Sequence, residues 1–449
     1  MLFMYLYISK KISSKGEHYV NLCNKPIKMT LKKLLTIILI AAGVHCNAQV
    51  WSVRDFGAKG DGVTKDTEAI QATINEAVAN GGGTVEVPAG TYLSGSIELK
   101  DNIDLHLMAG AVIKGSPDLT DYCAADCYPQ NHASPRTGDN TSGGHLIYGV
   151  NAKNITLRGP GKVDGNSEHF FLHGNYVDVG KKVTLPDRPA QMIWFADCEN
   201  IHITDLEIAN APYWSCFLLN CTRVWIRGCN VHTEREKFIA HNGDGLDIDR
   251  CRYVSISDCH INTQDDCITL RASGAERLSN PQNCEFVTVT NCTLSSACNA
   301  IRLGVGEGLI SEATFSNIAI YNTKNAFNIV SGYTRTERGT DITDILFSNI
   351  RVNAERLMKI HHMRGDEGVF RNITFSNISG NAPHDSQIWA KKDYPFSDIT
   401  FRDIDVPGSF ECINASVTVK GGQFRLKKLP GKLLKERKWN IENEKKLLY

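Results

Sequence analysis

One pattern recurs through most of the chain: an apolar residue, any residue, a second apolar residue, then Asn, Asp or Gly before another apolar position. It occurs at Ile155 and Leu157, Ile201 and Ile203, Val224 and Ile226, Val254 and Ile256, and Val287 and Val289. It continues at Ala313 and Phe315, Ile345 and Phe347, Ile373 and Phe375, and Ile399 and Phe401. The intervals are 46, 23, 30, 33, 26, 32, 28 and 26 residues, and 46, being twice 23, reads as two periods. Phe-Ser-Asn even repeats literally at 315–317, 347–349 and 375–377. Alternation broken by Asn, Asp and Gly means short strands, not helices. A period of this length with several strands per turn means a solenoid in which each coil covers the next. The expected fold is all-β, a right-handed parallel β-helix over 49–420, with a short capping helix.

That helix is expected at 67–79. Ile70, Ile74, Ala77 and Val78 fall on one face, and Gly81, Gly82 and Gly83 stop it. It would cover the open N-terminal edge of the solenoid within a cap and first coils at 49–110. Lys and Arg number 49 in the 449 residues, and Asp and Glu also 49, so the chain lacks the basic surplus that nucleic-acid binding needs. With 42% hydrophobic and 22% charged residues it is no disordered chain either.

Residues 29–48 read as an export signal: Met29, then Lys32 and Lys33, an apolar run from Leu34 to Val44, and small residues near Cys46 and Ala48. That run is too short for a membrane span, and His45 makes Cys46 a poor lipidation site. The protein is therefore expected in the periplasm or outside the cell, as a monomer, with 1–28 a wrongly assigned start. Residues 421–449 read as a basic tail or cap, with Arg425, Lys427, Lys428, Lys432, Lys435, Arg437 and Lys438. Of the 15 cysteines, Cys198, Cys221, Cys251 and Cys284 precede the apolar pair by three, and Cys229, Cys259 and Cys292 follow it by three. Recurrence at one register implies buried stacks, not disulfides. Cys123 and Cys127 are the pair least readily excluded from a bridge.

A second column carries polar chemistry. Its copies run Asp244 to Asp249, Asp266 to Arg271, Asn299 to Gly304, Asn325 to Val330 and, more loosely, Arg356 to His361. In a strand the residue between two inward positions points out. Asp247, Thr269, Arg302, Asn328 and Lys359 should therefore stack outward, and Asp244, Asp266, Asn299 and Asn325 should form a neighbouring column with Asp265 beside it. Stacked like charges are unfavourable unless something offsets them. A solvated acidic ladder, a calcium site and paired-carboxylate chemistry all remain open. The last is what glycoside hydrolysis needs.

These residues also resemble the polygalacturonase family, glycoside hydrolase family 28, over nearly all of 50–410. The resemblance rests on DFGAKGDGVTKDTEAIQ, GGGTVEVPAGTYLSGSIELK at 81–100, Gly159 to Gly165, Arg188-Pro189, and Ala211 to Ser215. At its centre are Asn242-Gly-Asp244-Gly and Gln264-Asp265-Asp266-Cys267. It implies an inverting hydrolase of pectic polysaccharide or oligosaccharide, with Asp265 as general acid and Asp244 and Asp266 activating water. It implies no metal and no cofactor. Two departures stand out. The family's Gly-His-Gly falls on Cys298-Asn299-Ala300, and its Arg-Ile-Lys falls on Asn328-Ile329-Val330. Arg302, helped by Arg271 or Lys359, would replace the missing cations, or the substrate there is neutral. Trp214 could stack on a sugar, and His361 could line the cleft. A uronate lyase and a non-catalytic glycan-binding solenoid are the alternatives, because fold alone does not settle function.

Overall fold

The computed structural model describes residues 18–22, 25–29, 49–123, 142–171, 187–233, 242–273, 275–332, 338–363 and 367–430. It separates into two units, 1–49 and 50–449. In the first, His18–Leu22 pairs antiparallel with Lys25–Met29. Apart from Met29, the expected signal segment lies outside the described residues, as does Cys127. No helix among the described residues is long and apolar enough to cross a membrane.

The second unit is a parallel β-helix whose strands stack coil on coil into three faces. Face A runs through Ile147–Val150, Ile193–Ala196, Cys216–Leu219, Leu246–Asp249, Ile268–Ala272 and Asn299–Gly306. Face B contains Lys153–Arg158, Glu199–Thr204, Thr222–Arg227, Arg252–Ser257 and Cys284–Thr290. Face C contains Glu207–Ala209, Asn230–His232, His260–Thr263 and Thr293–Ser296.

All nine apolar pairs of the repeat fall in one register on face B, from Ile155 over Ile201 to Ile373 over Ile399. The 46-residue interval is a correction: Ile155 pairs directly with Ile201, so it is one coil carrying an insertion, not two periods. The literal Phe-Ser-Asn repeats have a packing cause. Phe315, Phe347 and Phe375 stack inside at centroid spacings of 4.9 and 4.8 Å. Asn317, Asn349 and Asn377 occupy the next corner at φ 55°, 56° and 51°. Asn tolerates this left-handed region because its short amide bonds locally. Each amide donates to the coil before it, Asn349 to Asn317 at 3.2 Å and Asn377 to Asn349 at 2.8 Å.

The cysteine columns are buried stacks, with Cys198, Cys221, Cys251 and Cys284, and Cys229, Cys259 and Cys292, all free thiols within the core. Helix α1, Thr67–Ala79, lies where expected and buries Ile70, Ile74 and Ala77, while Val78 is only partly buried. At the other end, Ala415–Lys428 is a ladder strand pairing Ser409 with Arg425 and Glu411 with Lys427.

Candidate active site

The outward column of face A forms as the alternation requires. Asp247 lies beside Thr269, Thr269 beside Arg302, Arg302 beside Asn328, and Asn328 beside Lys359. The neighbouring column also forms. Gly245 N–H donates to the Asp266 carbonyl at 2.8 Å, Cys267 N–H to the Asn299 carbonyl at 3.0 Å, and Asn299 pairs with Asn325. Local chemistry fixes the turn that presents Asp244. Asn242 is left-handed at φ 57°, and its Oδ1 accepts from the fully buried Arg188 at 3.0 Å. Gly245 must be glycine because a Cβ there would stand 2.5 Å from the Cys267 carbonyl. Thr263 and Ser296 both donate to the Asp265 carbonyl, at 2.7 and 2.6 Å, fixing the adjacent pair.

Four carboxyls thus crowd one patch, with Asp244, Asp247 and Asp266 buried and Asp265 partly exposed. Burial, then Asp265, Asp247 and Asp266, drives the Asp244 carboxyl well above its usual range. Burial and then Asp266 push Asp265 to about 7, against the opposing pull of Arg302. Burial pushes Asp247 to about 7 and Asp249 to about 6, with Arg271 opposing both. The surroundings of Asp266 differ. Asn299 donates to its Oδ1, and Arg302 donates to its Oδ2 at 2.9 Å. Asn299 in turn accepts from Asn325 at 3.0 Å, and Asn325 accepts from Arg356 at 3.3 Å. A chain of donors therefore ends on Asp266 from three coils away. A carboxyl poised near neutrality beside one held by charge-assisted bonds is the asymmetry that acid–base chemistry uses.

Several of the expected substrate contacts are engaged within the protein. Arg271 pairs with Asp247 at 3.2 Å and Asp249 at 3.5 Å. Arg302 pairs with Asp266 and is only 7% exposed. Trp214 is buried, stacked on Tyr213 with its ring under the Arg271 guanidinium at 4.4 Å, so it supports that cation and offers no open sugar face. His361 is buried, and its pKa is lowered to about 3 by that burial and then by Lys359, so the ring is neutral. Asn328 is partly exposed in the column, and Lys359, two coils beyond Arg302, is buried to the same extent as Arg302.

Sequence reading missed the aromatic wall that precedes Asp247. Tyr148, Trp194 and Phe217 occupy the same outward register and cluster with Tyr213, Trp214, Leu219 and Leu278. The signal was available as aromatic residues between two apolar neighbours on the preceding coils. Among the described residues, Asp265, Asp266 and Cys298 bring one ligand atom each within 4.8 Å of one another. A cation there would compete with Arg302 and Asn299 for Asp266, and burial and then Asp265 keep the Cys298 thiol protonated by raising its pKa.

Residues 80–286 match the family model described as glycosyl hydrolases family 28. A probable polygalacturonase of Vitis vinifera is 26% identical over 66% of this chain and 59% of its own length. An exo-poly-alpha-D-galacturonosidase of Dickeya chrysanthemi is 24% identical over 61% of this chain and 51% of its own length. The chain thus spans little more than half of these two relatives. An exopolygalacturonase structure from Thermotoga maritima shares the fold at a TM-score of 0.67 and 21% identity, over 84% of this chain and 92% of that one.

Proposed function

Because residues 80–286 match the glycosyl hydrolase family 28 model and the relatives are polygalacturonases, we propose that the chain is an exported glycoside hydrolase of this family that cleaves galacturonide-type bonds of a pectic polysaccharide or oligosaccharide with inversion. The observation that carries this reading is the split within the adjacent pair. Asp265 is pushed up to about 7, while Asp266 accepts from both Asn299 and Arg302. In this mechanism the Asp265 carboxyl gives its proton to the leaving glycosidic oxygen as that C–O bond breaks. Water held by Asp266 and Asp244 attacks from the opposite face and passes a proton to them, so no proton is gained or lost overall.

The buried cations serve the acids: Arg302 orients Asp266, and Arg271 compensates Asp247 and Asp249. We assign a substrate carboxylate to Arg302 together with Lys359, which share the column and the same 7% exposure. The resemblance to the exo-poly-alpha-D-galacturonosidase of Dickeya chrysanthemi favours an exo mode. Export rests on the segment 29–48 and is checked by N-terminal sequencing of the protein recovered outside the cytoplasm.

Reducing-end release from polygalacturonate and rhamnogalacturonan tests the activity, with Asp265→Asn beside wild type and with chelator in a parallel series. Wild type should release reducing ends without unsaturated product, and Asp265→Asn should lose roughly 10²–10⁴-fold. Chelator-sensitive unsaturated product would replace the hydrolase by a lyase. Binding without any cleavage would replace it by a glycan-binding solenoid.

A further inference from the structure

The corner at which face B begins carries a column that hydrolysis does not use. In the early coils it holds Asn102, Asn154 and Asn200, all left-handed, with each amide donating to the one before at 2.7 Å. In the late coils it holds Glu312, Asp344, Asn372 and Asp398, also left-handed. In three successive coils between them it holds Arg223, Tyr253 and Phe286, each at φ 58°. The register leaves no doubt about equivalence, since the flanking residues pair coil to coil throughout. An aromatic side chain is less at ease than Asn in this region, and it ends the amide ladder. Stability of the corner therefore does not explain Tyr253 and Phe286.

Their surroundings suggest a use. Tyr253 is 51% exposed and Phe286 40%, whereas the stacked Phe315, Phe347 and Phe375 inside the coil are buried. The two rings are coplanar within 7° at 5.1 Å, with the Arg252 guanidinium 5.4 and 5.3 Å from their centroids. Further along the same strands, Trp225 is exposed and stacks on His202 at 4.5 Å. Arg223, Arg227 and Arg252 lie on these strands beside the rings. Arg223 pairs with Glu199, and Arg252 pairs with Glu285 at 3.4 Å. The Arg223–Glu199 pair is largely exposed, and such pairs contribute little, so the Arg223 guanidinium can exchange its Glu for another carboxylate.

We propose that this strip of face B is a binding platform for an acidic polysaccharide strand, separate from the cleavage site on face A. The exposed edges of the stacked rings give a pyranose chain an apolar strip to lie on, and planar guanidinium groups select a carboxylate beside it. The ligand class is uronate polymer, which rests on the substrate proposed above. Holding the polymer on one face raises its effective concentration at the other.

The experiment co-sediments full-length Asp265→Asn protein with cross-linked polygalacturonate. It compares that parent with the same protein carrying Tyr253→Asn and Phe286→Asn, the residue that neighbouring coils use. Retention should fall about tenfold, a change of about 1.4 kcal/mol in binding, and Tm should hold or rise. In the wild-type background the pair should leave hydrolysis of a soluble trigalacturonate unchanged and slow hydrolysis of the polymer. Unchanged retention, or a parent that is never retained, overturns the platform. A fall of several degrees in Tm also overturns it, because the rings would then be structural. Equal retention on neutral galactan overturns the uronate class. Failure of the hydrolase reading is separable, since it shows as no reducing ends from wild type whatever the retention.

Discussion

The asparagine column at 317, 349 and 377 and the acidic column at 244, 266, 299 and 325 come from the same coil repeat, yet they behave oppositely. In the first, like sits on like, and the middle amide, Asn349, both donates and accepts. Nothing there is charged, so the ladder is indifferent to pH. In the second, and in the outward column of Asp247 beside it, unlike residues follow one another, carboxyls are buried, and two arginines are drawn in to compensate them. Asp247 Oδ2, Thr269 Oγ1 and Asn328 Oδ1 keep no partner among the described residues. A uniform polar ladder stabilises; a mixed one gives up stability for chemistry.

The largest break in this contrast is expected at Arg271. Arg271→Met leaves Asp247 and Asp249 uncompensated in a buried setting and should destabilise the protein by about 3–5 kcal/mol, read from denaturant midpoints. Adding Asp247→Asn to it should recover part of that loss, whereas an independent effect would simply add.

A pH titration of stability sharpens the contrast. Asp247 and Asp265 are raised to about 7 and Asp249 to about 6. Between the ordinary carboxylate range near pH 4 and these values, the folded state holds protons that the unfolded state has lost. Stability therefore falls as pH rises through that window and is lowest above it. The expected loss between pH 5 and pH 8 is several kcal/mol, at about 1.4 kcal/mol for each group and pH unit. Asp247→Asn should flatten the slope, and Asn349→Ala should leave it untouched. A stability that rises over this range would overturn the account of the site. Hydrolysis should decline over the same range as Asp265 loses its proton.

A smaller effect tests the donor chain. Asn325→Leu removes the amide that orients Asn299 on Asp266. It should lower kcat about tenfold with KM unchanged, in keeping with a second layer of hydrogen bonds. A change in KM alone would make Asn325 a substrate contact. The smallest effect is expected in the uniform ladder, where Asn349→Ala should cost about 1 kcal/mol and leave kcat unaltered.

How much was legible follows from what each feature depends on. Helix α1 was readable to its ends, because Ile70, Ile74 and Ala77 state their own face and Gly81 to Gly83 their own stop. The two columns of face A were readable because alternation alone fixes which side chains point outward and which coils adjoin. The 46-residue interval misled because an inserted loop and a second period are the same arithmetic until pairing is seen. The partners of Arg302 and Arg271 were not legible for a related reason. A cation in an acidic column is equally available to a substrate or to a neighbouring aspartate, and only distance chooses.

The sequence by itself determined the coil, its corners, the cysteine and phenylalanine stacks, and the meeting of Asp244, Asp265 and Asp266, because each depends on a periodicity that local residues carry. Tertiary structure decided the partners: Arg302 on Asp266, Arg271 between Asp247 and Asp249, Trp214 beneath Arg271, and Tyr253 flat on Phe286. Those contacts join residues on different coils whose long side chains have many reachable ends. Which end is occupied is settled by packing, burial and charge together.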